Sequence, residues 1–300
     1  MVASPVETAV RRRSDTGPEL VGHTGVSPVP GDTHLRVDGP IHRSGAVRPP
    51  LVLVHGVGLD LHMWDLVVDT LAVERRVIRY DLLGHGRSVD PPGPRSVDDL
   101  VAQCLEVLTH AMTIDGGGRT PDLVGLSLGG LVALAVASRH PDTVGRLIVM
   151  NTVFDRTPEE IAGARARLLL TESEGLGPVS DLALDRWFSP EWQAAHPTRV
   201  AAVDQRIRTN DVDAYLKAYR VFVDGDPAMP GAAAEIMAPT LALTGELDVG
   251  STPSMSRAIA SAVPGGRSRV LSGLRHLPPI EAPGGCSAAL LEFLDEPTSL

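Results

Sequence analysis

The chain has 300 residues, 27 basic and 37 acidic side chains, and a formal net charge of −10. With 43% hydrophobic residues it can close a sizeable core, which excludes disorder throughout. The acidic balance and the scatter of Lys and Arg argue against a nucleic-acid surface, because phosphate binding needs a concentrated basic patch.

Residues 1–32 are rich in Pro, Gly, Ser, Thr and charge without either hydrophobic period, so they read as a disordered N-terminal extension whose removal leaves activity unchanged. The basic triplet Arg11 to Arg13 runs into Ser14, Asp15 and Thr16 rather than an apolar stretch, and reads as tail, not as a targeting signal. From Thr33 onward, strand-length apolar runs alternate with helical stripes. Leu51–Val54 precedes a helix around Met63–Leu71, Val77–Tyr80 precedes a stripe from Val97 to Met112, and Leu123–Leu126 precedes Leu128–Arg139. Ser96 supplies a capping oxygen ahead of Asp98 and Asp99, and Pro141 stops the third helix. The rhythm resumes with Leu147–Met150, Thr240–Leu243, a helix near Ser254–Ala262, a strand near Arg269–Leu271 and a last helix over Gly284–Leu294. Such a pattern predicts an α/β fold, a mostly parallel central sheet flanked by helices.

Two readings concern what the chain lacks. Its longest uninterrupted apolar run is seven residues, Leu131 to Ala137, against about 20 for a spanning helix, so no membrane segment is expected. Cys104 and Cys286 fall on apolar helical stripes with no CxxC pair and no metal-ligand spacing. Core filling in a reducing, cytoplasmic compartment is expected, with no metal and no cofactor.

Between residues 153 and 231 the βα rhythm gives way to helical stretches holding seven of the ten aromatic residues, among them Trp187, Tyr215, Tyr219 and Phe222. This segment reads as an inserted helical cap, leaving a core of residues 33–152 and 232–300. Its rings either glue the cap together or roof a substrate pocket.

Gly125-Leu126-Ser127-Leu128-Gly129 fits G-x-S-x-G between an apolar strand and an apolar helix, where a tight turn presents a nucleophilic serine. A serine hydroxyl needs a base, and the base an orienting acid. Asp248 follows the strand at Thr240–Leu243, and His276 follows the strand near Arg269–Leu271, with no later histidine. Glu246 is the rival acid, while Asn151 cannot serve as a carboxylate. Backbone amides of Leu128 and of Val57, in the His55–Gly58 loop, are the expected oxyanion donors, with His55 bracing the turn.

With these residues in view, the chain resembles the α/β-hydrolase fold superfamily from about Thr33 onward. His55-Gly56 followed by Trp64, the loop from Asp81 to Ser88, the serine elbow, and His276 with Glu281 and Pro283 all match its motifs. Within it, Leu59–Asp65 and Asp185–Pro190 look most like 3-oxoadipate enol-lactonases and carboxylesterases. The resemblance implies a cofactor-free serine hydrolase acting on a small ester or lactone, with the Asp81–Ser88 loop structural. An enol-lactone carries a carboxylate, so Arg186, Arg206 and Arg208 are candidate partners, with Trp187 and Tyr215 as further substrate contacts. The alternatives are carbon–carbon hydrolysis of a diketone with the same triad, thioester cleavage, acyl transfer, or a slow-turnover small-molecule receptor. No oligomeric state can be read from the sequence.

Overall fold

The computed structural model describes residues 33–39, 48–115, 118–225 and 229–297, so the expected extension over residues 1–32 lies outside them. Seven strands form one sheet: β1 (Leu35–Asp38), β2 (Leu51–Val54), β3 (Val77–Tyr80), β4 (Asp122–Leu126), β5 (Leu147–Met150), β6 (Thr240–Gly245) and β7 (Arg267–Leu271). The spatial order is β1-β3-β2-β4-β5-β6-β7, with β1 antiparallel to β3 and every other pair parallel.

The apolar runs become strands because the sheet is covered on both faces, and alternate side chains go to opposite sides. Val52, Val54, Ile78, Tyr80, Leu123 and Val149 join the core under α2 (Val97–Asp115), α3 (Leu128–Arg139) and α10 (Pro253–Ala262). Their neighbours Leu51, Leu53, Val77, Val124, Ile148 and Met150 join the core under α1 (Asp65–Leu71) and α12 (Pro283–Leu294). Burying each such side chain stabilises the fold by roughly 1.5–3 kcal/mol. Cys104 and Cys286 are fully buried, one in each core.

Local signals set the helix ends. The Ser96 hydroxyl accepts the Asp99 N–H at 3.3 Å, and α3 stops at Arg139, two residues before Pro141. Before α1, a 3₁₀ turn over Leu61–Trp64 takes up residues expected to be helix, because the Asp60 carboxylate accepts the His62 N–H at 2.9 Å and caps the turn. Arg79, buried within β3, survives there because its guanidinium reaches Asp38 at 2.8 Å and also Asp65, tying β1 and α1 to the sheet.

Between β5 and β6 the described residues are helical: α4 (Pro158–Glu174), α5 (Leu176–Trp187), α6 (Pro190–Ala195), α7 (Pro197–Arg208), α8 (Val212–Asp224) and α9 (Met229–Ala232). A full capping box between Thr157 and Glu160 starts α4. The short helix α11 (Pro278–Glu281) precedes α12. No helix among the described residues is long and apolar enough to cross a membrane.

Two chain directions diverge from β2, toward β3 on one side and β4 on the other. In an open parallel sheet this reversal leaves a crevice beyond the strand C-termini, where ligands bind. The loops after β2 and β4 therefore meet at one place, and those loops carry the His55–Gly58 segment and Ser127.

Candidate active site

Ser127 joins β4 to α3 with φ 56° and ψ −116°, a left-handed conformation that a non-glycine residue holds only under surrounding constraint. The flanking glycines are required by close approach. A Cβ on Gly125 would lie 2.1 Å from the Gly129 carbonyl oxygen, and one on Gly129 would lie 2.4 Å from that of Val54. Ser127 N–H donates to the Met150 carbonyl at 2.9 Å, so β5 also pins the turn.

His276 and Asp248, 28 residues apart, meet at the ends of β7 and β6: His276 Nδ1 donates to Asp248 Oδ2 at 2.7 Å. The same carboxylate accepts the Asn151 amide at 2.8 Å on Oδ2, and the Gly250 and Ser251 N–H groups at 2.8 and 3.0 Å on Oδ1. Burial pushes the Asp248 pKa up, but the charge and hydrogen bonds of His276, Asn151 and Ser251 outweigh it and hold the carboxyl below its ordinary value. Ser127 and His276 face one cavity, but no hydrogen bond joins them among the described residues. Such pairs commonly tighten only when substrate arrives.

Two further groups hold His276. The Glu281 carboxylate accepts the N–H of Arg275 at 2.9 Å and of Leu277 at 3.0 Å, the residues on either side of His276. Trp187, at the end of α5, stacks its ring on the His276 imidazole with centroids 5.4 Å apart and planes 19° apart, while its carbonyl accepts the His276 N–H at 3.4 Å.

The His55–Gly58 loop packs directly on Ser127, since a Cβ on Gly56 would stand 3.2 Å from that of Ser127. His55 Nε2 accepts the Leu82 N–H at 2.9 Å and His85 Nε2 accepts the Gly58 N–H at 3.0 Å, so both imidazoles brace the loop. Burial, and then the neighbouring His55, push the His85 pKa down to about 3, so it stays a neutral acceptor. The Val57 and Leu128 N–H groups donate to no group among the described residues, which leaves them available to an oxyanion.

Above Ser127 lies a cavity of about 720 Å³ including its mouth, within the range of small-molecule sites. Trp187, Tyr219 and Phe222 supply aromatic wall, and Tyr219 also packs against the Tyr215 and Phe222 rings. Of the residues read as substrate contacts, Arg186 and Trp187 stand on that wall. Arg206 and Tyr215 do not. Arg206 pairs with Asp60 at 3.2 Å beside a separate depression, and Tyr215 is buried against the Gly58 turn and stacked on Tyr219. Arg208 is held by Asp204 and Asp181, and Glu246 is exposed and bound to Ser272 and Gly273, away from His276. Sequence reasoning missed Arg156 and Arg167, which line the cavity, and the supporting role of Asn151. An arginine on an amphipathic helix has no local signal that separates a pocket wall from a solvated face.

Fold and site together define a hydrolase: residues 51–289 match the model of the alpha/beta hydrolase family, and the chain belongs to that family. It is 28% identical over 249 residues to the (E)-2-((N-methylformamido)methylene)succinate hydrolase of Acinetobacter baylyi, covering 82% of this chain and 90% of that enzyme. It is also 28% identical over 181 residues to 3-oxoadipate enol-lactonase 2 of the same organism, a match spanning 60% of this chain and 65% of that one. Among solved structures, the enol-lactonase from Burkholderia xenovorans LB400 superposes with a TM-score of 0.78 at 30% identity, covering 88% of this chain and 96% of that chain.

Proposed function

We propose that this hydrolase cleaves a small carboxylic ester or lactone, of the 3-oxoadipate enol-lactone kind, through an acyl-enzyme on Ser127. The observation that carries the reading is the meeting of a strained, cavity-facing Ser127 with the Asp248-oriented His276 at the sheet's switch point. His276 takes the Ser127 proton as Oγ attacks the carbonyl carbon. The Val57 and Leu128 amides receive the oxyanion. His276 returns the proton to the departing oxygen as the C–O bond breaks, and a water deprotonated by the same imidazole then releases the acid. Residues 153–231 act as a cap over this chemistry, supplying Trp187 and Arg186 to the cavity wall. The likeness to enol-lactonases supports the lactone class.

A second reading, carbon–carbon bond hydrolysis with the same triad, draws on 39% identity over 115 residues, 37% of this chain, to the 2-hydroxymuconate semialdehyde hydrolase of a Pseudomonas species. Turnover of 3-oxoadipate enol-lactone, a short aryl ester and a vinylogous diketone, compared for the intact protein and Ser127→Ala, separates the readings. Lactone turnover that falls at least about 1,000-fold in Ser127→Ala is expected. Diketone turnover alone moves the assignment to the second reading, and an alanine variant as active as the parent ends both.

A further inference from the structure

The turn that carries the Val57 amide is held from a distant part of the chain. It closes where the Leu59 N–H donates to the Gly56 carbonyl at 3.2 Å, with Gly58 inside it at φ 75°. Glycine is required at that position, because a Cβ on Gly58 would also stand 2.9 Å from the Tyr215 ring. The Gly58 carbonyl accepts the side-chain amide of Asn210, 152 positions later, at 3.0 Å. Asn210 lies between α7 and α8, among the helices that separate β5 from β6. Its Nδ2 also donates to the Arg206 and Ile207 carbonyls at 2.6 and 3.1 Å, at the end of α7. All three neighbours are carbonyl oxygens, so the amide faces them with its nitrogen, and its two hydrogens serve both the helix end and the loop.

These bonds join end to end. The Gly58 C=O and the Leu59 N–H belong to one peptide unit, and the Gly56 C=O and the Val57 N–H belong to another. A continuous path therefore leads from Asn210 Nδ2–H to the Gly58 oxygen, through that peptide to the Leu59 N–H, across to the Gly56 oxygen, and through the second peptide to the Val57 N–H. A carbonyl that accepts a hydrogen bond polarises the N–H of its own peptide, strengthening the next bond by about 10–30%. Because each peptide is planar, holding its oxygen also aims its N–H. The Gly56 oxygen receives the His55 Nδ1–H at 2.8 Å as well, so the Val57 amide has one support from the sheet side and one from α7.

We propose that Asn210 is a positioning residue for the oxyanion donor Val57, acting through two peptide units and without touching substrate. The proposal rests on the hydrolase reading above, and it makes the seat of α7 on the loop after β2 part of what stabilises the tetrahedral intermediate.

The test compares Asn210→Ala with the intact protein on 4-nitrophenyl acetate and on trifluoroacetophenone. With the ketone, a bond forms between Ser127 Oγ and the carbonyl carbon as the C=O π bond opens, the Ser127 proton passes to His276, and the ketone oxygen becomes an anion at the Val57 and Leu128 amides. Turnover is expressed per site labelled by a fluorophosphonate, so that loss of folded protein does not enter. A fall in kcat of about 3- to 30-fold with KM within about twofold is expected, below the roughly 100- to 1,000-fold of losing an oxyanion donor outright. The inhibition constant of the ketone is expected to rise by the same factor. Asn210→Asp, which keeps the side-chain shape and puts an acceptor where the donor stood, is expected to lose at least as much and serves where alanine unsettles α7. Lys217→Met removes the ion pair between α8 and Asp90, a second link between these helices and the loops of the sheet, and is expected to change neither constant. Values per site that stay unchanged in both Asn210 variants, or that fall equally in Lys217→Met, overturn the positioning role while the hydrolase reading stands. An intact protein that neither cleaves the ester nor binds the ketone overturns both.

Discussion

Glu281 offers a prediction whose size follows from its surroundings. Its carboxyl is 8% exposed beneath the His276 loop, and burial, against the Arg275 and Leu277 N–H bonds, raises its pKa from 4.5 to about 7. A carboxyl with a raised folded-state pKa contributes stability that is fully present below pH 4.5 and is lost as pH climbs through 7, because the unfolded chain gives up the proton first. At about 1.4 kcal/mol per pH unit, the intact protein should lose about 2 to 3 kcal/mol between pH 5 and pH 8 from this group. Glu281→Gln, which keeps a carbonyl oxygen for the loop but cannot ionise, should not lose it. Urea unfolding of both proteins at pH 5 and pH 8 isolates the difference, since Asp122, also raised to about 7 by burial, is common to both and cancels. Stability curves that stay parallel to within about 0.5 kcal/mol across that range would refute the reasoning.

Asn151 is fully buried at φ 47°, donating to Asp248 and to the Arg275 carbonyl at 3.0 Å. Asn151→Ala removes both bonds and leaves an alanine in a left-handed conformation, so a loss of about 2 to 4 kcal/mol in urea unfolding and a fall in kcat greater than in KM are expected. Gly125→Ala forces a Cβ to within 2.1 Å of a backbone oxygen that cannot move without breaking the serine turn. A destabilisation of about 3 kcal/mol or more by urea unfolding is expected, with aryl ester turnover lost alongside it.

Much of the architecture was legible because strands buried on both faces spell themselves as short apolar runs. Val77–Tyr80, Leu128–Arg139 and Leu147–Met150 fall where the pattern placed them. Ser127, Asp248 and His276 were singled out because each follows a strand in fixed chain order, and the fold brings His276 onto Asp248 and sets Ser127 and His276 on one cavity. Strand β1 was not: four residues with Leu35 buried and the others partly open carry too little alternation to read. Nor could the arginines be ranked. Arg206 and Arg186 look alike on their helices, and what separates them is Asp60, an ion-pair partner 146 positions away that only the folded chain brings to Arg206. Asn151 was weighed as an acid and dismissed, when its part is to donate to the acid.

The contact between Trp187 and His276 bears on how insertions of this kind could be exchanged between relatives. A graft cut at the ends of β5 and β6 would replace the ring lying on the imidazole and the carbonyl that receives the His276 backbone N–H, while leaving the imidazole itself behind. The transplantable unit is therefore larger than the stretch between two strands: it is α5 together with the His276 loop, and a chimera that moves one without the other inherits an imidazole without its stacking partner.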